Sequence, residues 1–394
     1  MTPLWVGEVL MRYLFGFICV LALGVMGCSE TTGGDGGSAG EGGSGGVPSP
    51  GTLLSAEEID PFGPGMNTWR VLYTSEAIDG TPIEVSGIVS APIEPPTEGV
   101  RGVVGYARGT EGLFDACSPS WPPYAFFTVH TPALVNFGYV AVATNYEGLG
   151  TPGIHPYLVG ESEGRGVLDI VRAAQQIEEA HAGNRAVVWG NSQGGHATLF
   201  AAEIAAKWAP DIELLGVIPS DPVSELEVLV EAQADIADAR GLLWMMTVAY
   251  EAMYSGLNLE DVYDAETLGA IAGLVDQEAC VVPFLEAARD VENAGFVTNP
   301  ADLPSWRARL VENSPGHERS DMPILLLQGS DDAIVPQHIT DALFDRLCET
   351  GSQTDYRVFE GFGHGASYVL NFDTMLEWTN ARFAEEAALD TCPD

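Results

Sequence analysis

VVWGNSQGGHA, from Val187 to Ala197, sets a serine among glycines directly after an apolar run. Within it, Gly190-Asn191-Ser192-Gln193-Gly194 matches G-x-S-x-G. That pattern carries chemical weight only where a strand enters it and a helix leaves it. Both are expected here, a strand over 186–190 (AVVWG) and a helix over 196–208 (HATLFAAEIAAKW). A turn that tight strains the serine backbone, and side chains at the flanking glycines would hit the strand and the helix. Ser192 Oγ would then stand over a helix N-terminus, where the dipole and the Gln193 N–H favour an oxyanion. An ordinary glycine-rich loop would account for the glycines but not for the elements on either side.

A nucleophilic serine needs a base, and the base needs an acid to orient it. Downstream, LLLQGSDDAIVP ends an expected strand with Asp331 and Asp332, and GFGHGAS follows the next strand with His364 between two glycines. The order Ser, Asp, His is that of α/β-hydrolases. Asp332 is the expected acid, because Gly329, Asp332, Val335 and Pro336 form the G-x-x-D-x-x-V-P pattern frequent around that residue; Asp331 is expected to cap the following turn. Asp221, after an earlier strand, is an alternative acid. A second oxyanion donor is expected from ARGTEGLFDACSPSWPP (107–123), at the Thr110 N–H beside Gly109, with Gln193 as the first donor.

The wider chain supports a single large catalytic domain. WRVLYTSEAIDGTPIEVSGIVSAPI (69–93) reads as an antiparallel hairpin turning at Asp79-Gly80. Apolar strands over 102–107, 139–146, 214–220, 323–329 and 356–361 then alternate with helices over 162–181, 196–208 and 373–387. Such alternation implies an α/β fold, a mainly parallel sheet flanked by helices. Between about 221 and 321 the chain reads as helix alone, an inserted cap over the carboxyl edge of the sheet. Its cluster of Leu242, Leu243, Trp244, Met245, Met246 and Tyr250 could line a pocket or form the cap's own core.

The N-terminus reads differently. MRYLFGFICVLALGVMGC (11–28) has one basic residue and a short apolar run, too short to span a bilayer comfortably. Residues 1–28 are expected to be a signal peptide whose Val25-Met26-Gly27-Cys28 resembles a lipobox, with Cys28 lipidated; a plain signal peptide is the alternative. Residues 29–54, rich in Gly and Ser, are expected to be a flexible linker, and 55–394 the catalytic domain. The folded part is thus expected outside the cytoplasm, as a cell-envelope lipoprotein or a secreted protein. Cys117, Cys280, Cys348 and Cys392 then suggest two disulfides, with three pairings possible. No CxxC pair occurs, which argues against zinc.

The formal net charge of the 394-residue chain is −40, from 56 acidic and 16 basic residues, and Lys207 is its one lysine. Such a field repels nucleic acid and anionic lipid surfaces. No nucleic-acid partner is expected, and membrane contact only through the N-terminal anchor.

RGTEG…CSPS (108–120), NYEGLGTPGIHPYLVG (145–160), SEGRGVLDIVRAA (162–174) and GNSQGG together resemble the secretory lipases, the Candida antarctica lipase A-like α/β-hydrolases. The resemblance covers nearly everything after Ser55. It implies an α/β-hydrolase fold with a helical cap, hydrolysis of carboxylic esters with the acyl chain under the cap, and disulfides Cys117–Cys280 and Cys348–Cys392. Matched by position, it implies Ser192, Asp332 and His364 as catalytic residues and Thr110 with Gln193 as the oxyanion hole. Arg108, where relatives often carry histidine, and Ser118, where alanine is usual, depart from the pattern. The reading is therefore a monomeric serine hydrolase of the lipase or esterase kind, needing no cofactor or metal. A serine peptidase, an acyltransferase and a non-catalytic surface lipoprotein are its rivals.

Overall fold

The computed structural model describes residues 48–120 and 127–393. The expected signal peptide, Cys28 and the linker up to residue 47 lie outside the described residues. Nine strands form one sheet in the order β1-β2-β3-β5-β4-β6-β7-β8-β9. Strands β1 (Leu53–Ile59), β2 (Met66–Glu76) and β3 (Pro82–Pro92) pair antiparallel, and β3 continues antiparallel onto β5 (Val140–Thr144). From there β4 (Arg101–Ala107), β6 (Ala182–Asn191), β7 (Glu213–Ser220), β8 (Ile324–Gly329) and β9 (Thr354–Phe359) run parallel.

Sequence alternation sets the two faces of the sheet. In β6, Ala186 and Val188 pack on the side of helices α2 (Gly160–Ala174) and α3 (Gln193–Trp208). Val187 and Trp189 pack on the opposite side, against Leu134 of α1 (Phe127–Asn136) and Met375 of the last helix (Phe372–Phe383). Trp189 meets its one polar need there, donating Nε1–H to Thr379 Oγ1 at 2.9 Å. Both layers are apolar, so the central strands are buried on both faces.

Between β7 and β8 the chain is helical, as expected: α4 (Leu226–Asp235), α5 (Arg240–Met253), α6 (Ala265–Asp276), α7 (Val281–Ala288) and α8 (Pro304–Glu312). The aromatic and methionine cluster of α5 divides between the two expected roles. Trp244 is buried and donates Nε1–H to Ala294 O at 2.8 Å, and buried Tyr250 donates its hydroxyl to Leu158 O at 3.0 Å. Leu242, Leu243 and Met246 line a narrow apolar cavity with Leu226, Leu229 and Val223.

Several boundaries differ from the expected ones. Strand β1 starts at Leu53, inside the segment expected to be linker, and just before it the Gly51 N–H donates to Thr74 O at 2.7 Å. The helix expected over 162–181 ends at Ala174, where the apolar face gives way to QQIEEAH and His181 turns to φ 51°. The closing helix ends at Phe383 rather than 387, and Glu385 beyond it has φ 58°. Two disulfides, Cys117–Cys280 and Cys348–Cys392, join the cysteines in the pairing the resemblance implies.

Candidate active site

Strand β4 lies between β5 and β6, so the chain leaves it toward one edge of the sheet and returns on its other side. Loops beyond the carboxyl ends of β4 and β6 therefore diverge and open a crevice, the usual ligand position in an open α/β sheet. Ser192 stands at that edge, between the last residue of β6 and the first of α3. Its backbone has φ 59° and ψ −120°, a conformation L residues avoid and one that costs about 1–3 kcal/mol. The Ser192 N–H donates to Ser220 O at 3.0 Å, and its carbonyl accepts the His196 N–H at 3.1 Å. These bonds hold the strain in place.

The flanking glycines are demanded by close approach. A Cβ on Gly190 would run into the Gly194 carbonyl, and one on Gly194 into the Ala107 carbonyl at the end of β4. The loop carrying Thr110 is thereby pressed against the start of α3. Gly109 faces the Asn191 carbonyl, 3.7 Å from where its own Cβ would be. Thr110 and Gln193, the two expected oxyanion residues, flank this contact.

Both are fixed by buried partners. Thr110 Oγ1 is 3.0 Å from the Tyr157 hydroxyl. The Gln193 amide donates to Glu163 Oε1 at 2.8 Å and to His155 Nε2 at 2.7 Å. His155 in turn sets its Nδ1–H against Glu147 O at 2.9 Å, so its Nε2 is free to accept, and burial holds its pKa below the ordinary value. Glu163 also accepts the Leu158 N–H at 2.9 Å and lies 2.7 Å from His196 Nδ1, while His196 Nε2 faces Asn313 O at 2.8 Å. Taken singly in the sequence, His155, His196 and Glu163 are not marked as this support. The available signal was the NYEGLG…HPYL and SEGRG motifs, which supply His155 and Glu163 themselves.

Asp332 is buried in the loop after β8, and His364 lies in the loop after β9. Asp332 Oδ2 is 2.7 Å from His364 Nδ1. Oδ1 of the same carboxylate accepts the N–H groups of Ile334 at 2.8 Å and Val335 at 2.9 Å. The turn-capping role expected of Asp331 is thus performed by Asp332, and Asp331 is exposed. Burial pulls the His364 pKa down, but the hydrogen bond and charge of Asp332, joined by the charge of Asp221, outweigh it and raise the pKa above 6.5. The His364 ring keeps 23% side-chain exposure, so Nε2 has a route to a ligand. Among the described residues, no hydrogen bond joins Ser192 Oγ to His364. Their neighbours meet instead: Asn191 Nδ2 and the Gly365 N–H both donate to Asp221 Oδ2, at 3.2 and 3.0 Å.

The two departures from the family pattern lie under this site. Arg108 is buried and donates Nε–H to Thr144 O at 3.2 Å, and its own carbonyl accepts the Tyr146 hydroxyl at 2.9 Å. Ser118 Oγ accepts from Asn145 Nδ2 at 3.0 Å.

A family model described as secretory lipase matches residues 127–269, a span that includes the Ser192 turn, α2 and much of the cap. Over those residues the chain is similar to the secretory lipases. The chain is 26% identical over 321 residues to Lipase A of Arthroderma benhamiae, an alignment covering 74% of this chain and 65% of that one. It is 22% identical over 365 residues to a protein of Mycobacterium tuberculosis described as a probable inactive lipase, covering 86% and 80%. In three dimensions it is similar to Candida antarctica lipase A in its closed state, with a TM-score of 0.77 at 13% identity, covering 87% and 84%. That last likeness speaks for the fold, an α/β-hydrolase with helices on both faces of the sheet.

Proposed function

We propose that this chain is a member of the secretory lipase family and hydrolyses carboxylic esters through an acyl-enzyme on Ser192. The observation that carries the reading is one geometry. A strained serine at the crevice and a His364–Asp332 pair held at 2.7 Å are linked through their neighbours Asn191 and Gly365, which both donate to Asp221, with the Thr110 loop packed on the serine turn. His364 takes the Ser192 hydroxyl proton on Nε2 as Oγ bonds to the ester carbonyl carbon. The N–H groups of Thr110 and Gln193 bind the oxyanion. As the C–O bond to the alcohol breaks, His364 returns the proton to the leaving oxygen. Water, deprotonated by His364, then adds to the acyl carbon, and the acid departs as Ser192 recovers its proton. Asp332 keeps the imidazole in the tautomer with Nδ1 protonated and stabilises the charged ring.

The apolar side chains of Val223, Leu226, Leu229 and the α5 residues near the nucleophile turn favour an aliphatic over a charged acyl group. Val223 lies beside the nucleophile turn, its N–H donating to Ser192 O at 3.3 Å. Export as a lipoprotein tethered through Cys28 is part of the same proposal. The sequence of residues 11–28 supports it, as does the pair of disulfides, which persist in oxidising compartments. A fluorophosphonate probe followed by peptide mass spectrometry tests the nucleophile. Label on the peptide containing Ser192, prevented by Ser192→Ala, is the expected result. No label on folded protein would favour a non-catalytic protein, in line with the relative described as inactive.

A further inference from the structure

Asp221 ends the sheet's central region one residue after β7, fully buried and with φ 44°. The catalytic reading leaves it unused, since His364 Nδ1 is already taken by Asp332. Its carboxylate nonetheless meets all three segments that bear the proposed machinery. Oδ2 accepts from Asn191 Nδ2 at 3.2 Å, from the residue preceding Ser192. It accepts the Gly365 N–H at 3.0 Å, from the residue following His364. Oδ1 accepts the Gly329 N–H at 2.9 Å, from the end of the strand that leads to Asp332. Ser367 Oγ also donates to Oδ2, and Ser220 Oγ, 2.7 Å from Ser367 Oγ, gives its one proton to that hydroxyl.

Every one of these partners is a donor, and a carboxylate in its ionised form accepts only. Four donors converging on one buried group favour that charged form, against burial and the neighbouring Asp332 charge, which leave the Asp221 pKa raised. The charge also acts at a distance. His364 and Asp332 face it from the catalytic loops and Tyr356 from β9, and its sign favours the imidazolium of His364.

We infer that Asp221 is a positioning residue: its ionised carboxylate ties the Ser192 turn, the His364 loop and the strand before Asp332 into one rigid unit, and it adds negative charge behind the imidazole. This rests on the Ser192–Asp332–His364 reading. A misplacement of about 1 Å among reacting groups costs about a hundredfold in rate, so the tie has kinetic leverage. An acid that served His364 directly would instead bond to its ring, and Asp221 bonds to backbone and to neutral side chains.

The test compares Asp221→Asn, Ser367→Ala and wild-type protein in p-nitrophenyl ester hydrolysis across pH, with Ser192→Ala as blank. Asparagine keeps the shape but turns an NH2 toward donors and removes the charge. A kcat lower by about 10- to 100-fold, a KM within about twofold, and an acid limb of kcat/KM moved to lower pH are expected. The limb moves down because loss of a nearby negative charge lowers the imidazole pKa. Ser367→Ala keeps the charge and cuts one tie, so kcat should fall several-fold, about 3- to 10-fold, with the limb unmoved. Unchanged kcat and limb in folded Asp221→Asn would overturn the inference. Should that variant not fold, Ser367→Ala decides alone, an unchanged kcat overturning it. Wild-type protein with no activity above the Ser192→Ala blank would mean failure of the ester-hydrolase reading, a separate outcome.

Discussion

The two oxygens of Asp332 have different tasks. Oδ2 orients His364, and Oδ1 holds the N–H groups of the turn that positions the carboxylate itself. Asp332→Asn must set its amide nitrogen against one of these donors or the other. Either choice spoils the imidazole tautomer or the turn. Ester hydrolysis in that variant should fall in kcat by about a thousandfold or more, with little change in KM, in steady-state kinetics. Wild-type protein should lose activity as pH falls through a value above the ordinary imidazole range, because the raised pKa of His364 keeps the ring protonated to higher pH. The rival pair Asp331 and Asp332 was separable in the sequence by the spacing to Val335 and Pro336. Which of them would cap the turn was not, because one carboxylate can serve two partners and a sequence does not say so.

Elements meet the site through buried polar atoms. Glu163 on α2 holds Gln193 and His196 on α3, and His196 reaches Asn313 at the end of α8, whose Nδ2 donates to Tyr254 Oη at 2.8 Å. Glu163→Ala should strand these donors and lower stability by about 3–5 kcal/mol, measured by urea unfolding. Glu163→Gln should cost much less, because its oxygen can still accept from Gln193 and Leu158 and its amide can donate to His196 Nδ1. Equal losses in the two variants would contradict this bonding scheme. The motifs supply His155, Glu163 and Gln193, but the bonds among residues 155, 163, 193, 196 and 313 were not legible, because these are scattered along the chain and only the fold assembles them. Strand β1 was missed for a different reason. LLSAEEI is largely exposed and joins the sheet through backbone bonds to β2, so no apolar alternation marks it. The strands around Ser192 were legible because burial on both faces writes continuous apolar runs.

At the scale of the molecule, the two disulfides do different work. Cys117–Cys280 spans 163 residues and joins the loop that carries Thr110 to the cap, where the Val281 N–H also donates to Glu111 O at 2.9 Å. Cys348–Cys392 spans 44 residues and pins the chain end beside β9. Replacing the first pair by serine should destabilise by about 1 kcal/mol more than replacing the second, from loop length alone. It should also depress kcat, whereas loss of the second should lower Tm alone. A net charge of −40 repels itself across the fold, so Tm should rise as salt is added from low ionic strength in scanning calorimetry. The most direct test of the central claim is hydrolysis of p-nitrophenyl esters, from acetate to palmitate, by the domain beginning near Gly51. Activity in the wild-type chain that vanishes in Ser192→Ala is the predicted result. Equal hydrolysis by the two proteins, or none by folded wild-type protein on any chain length, would contradict it.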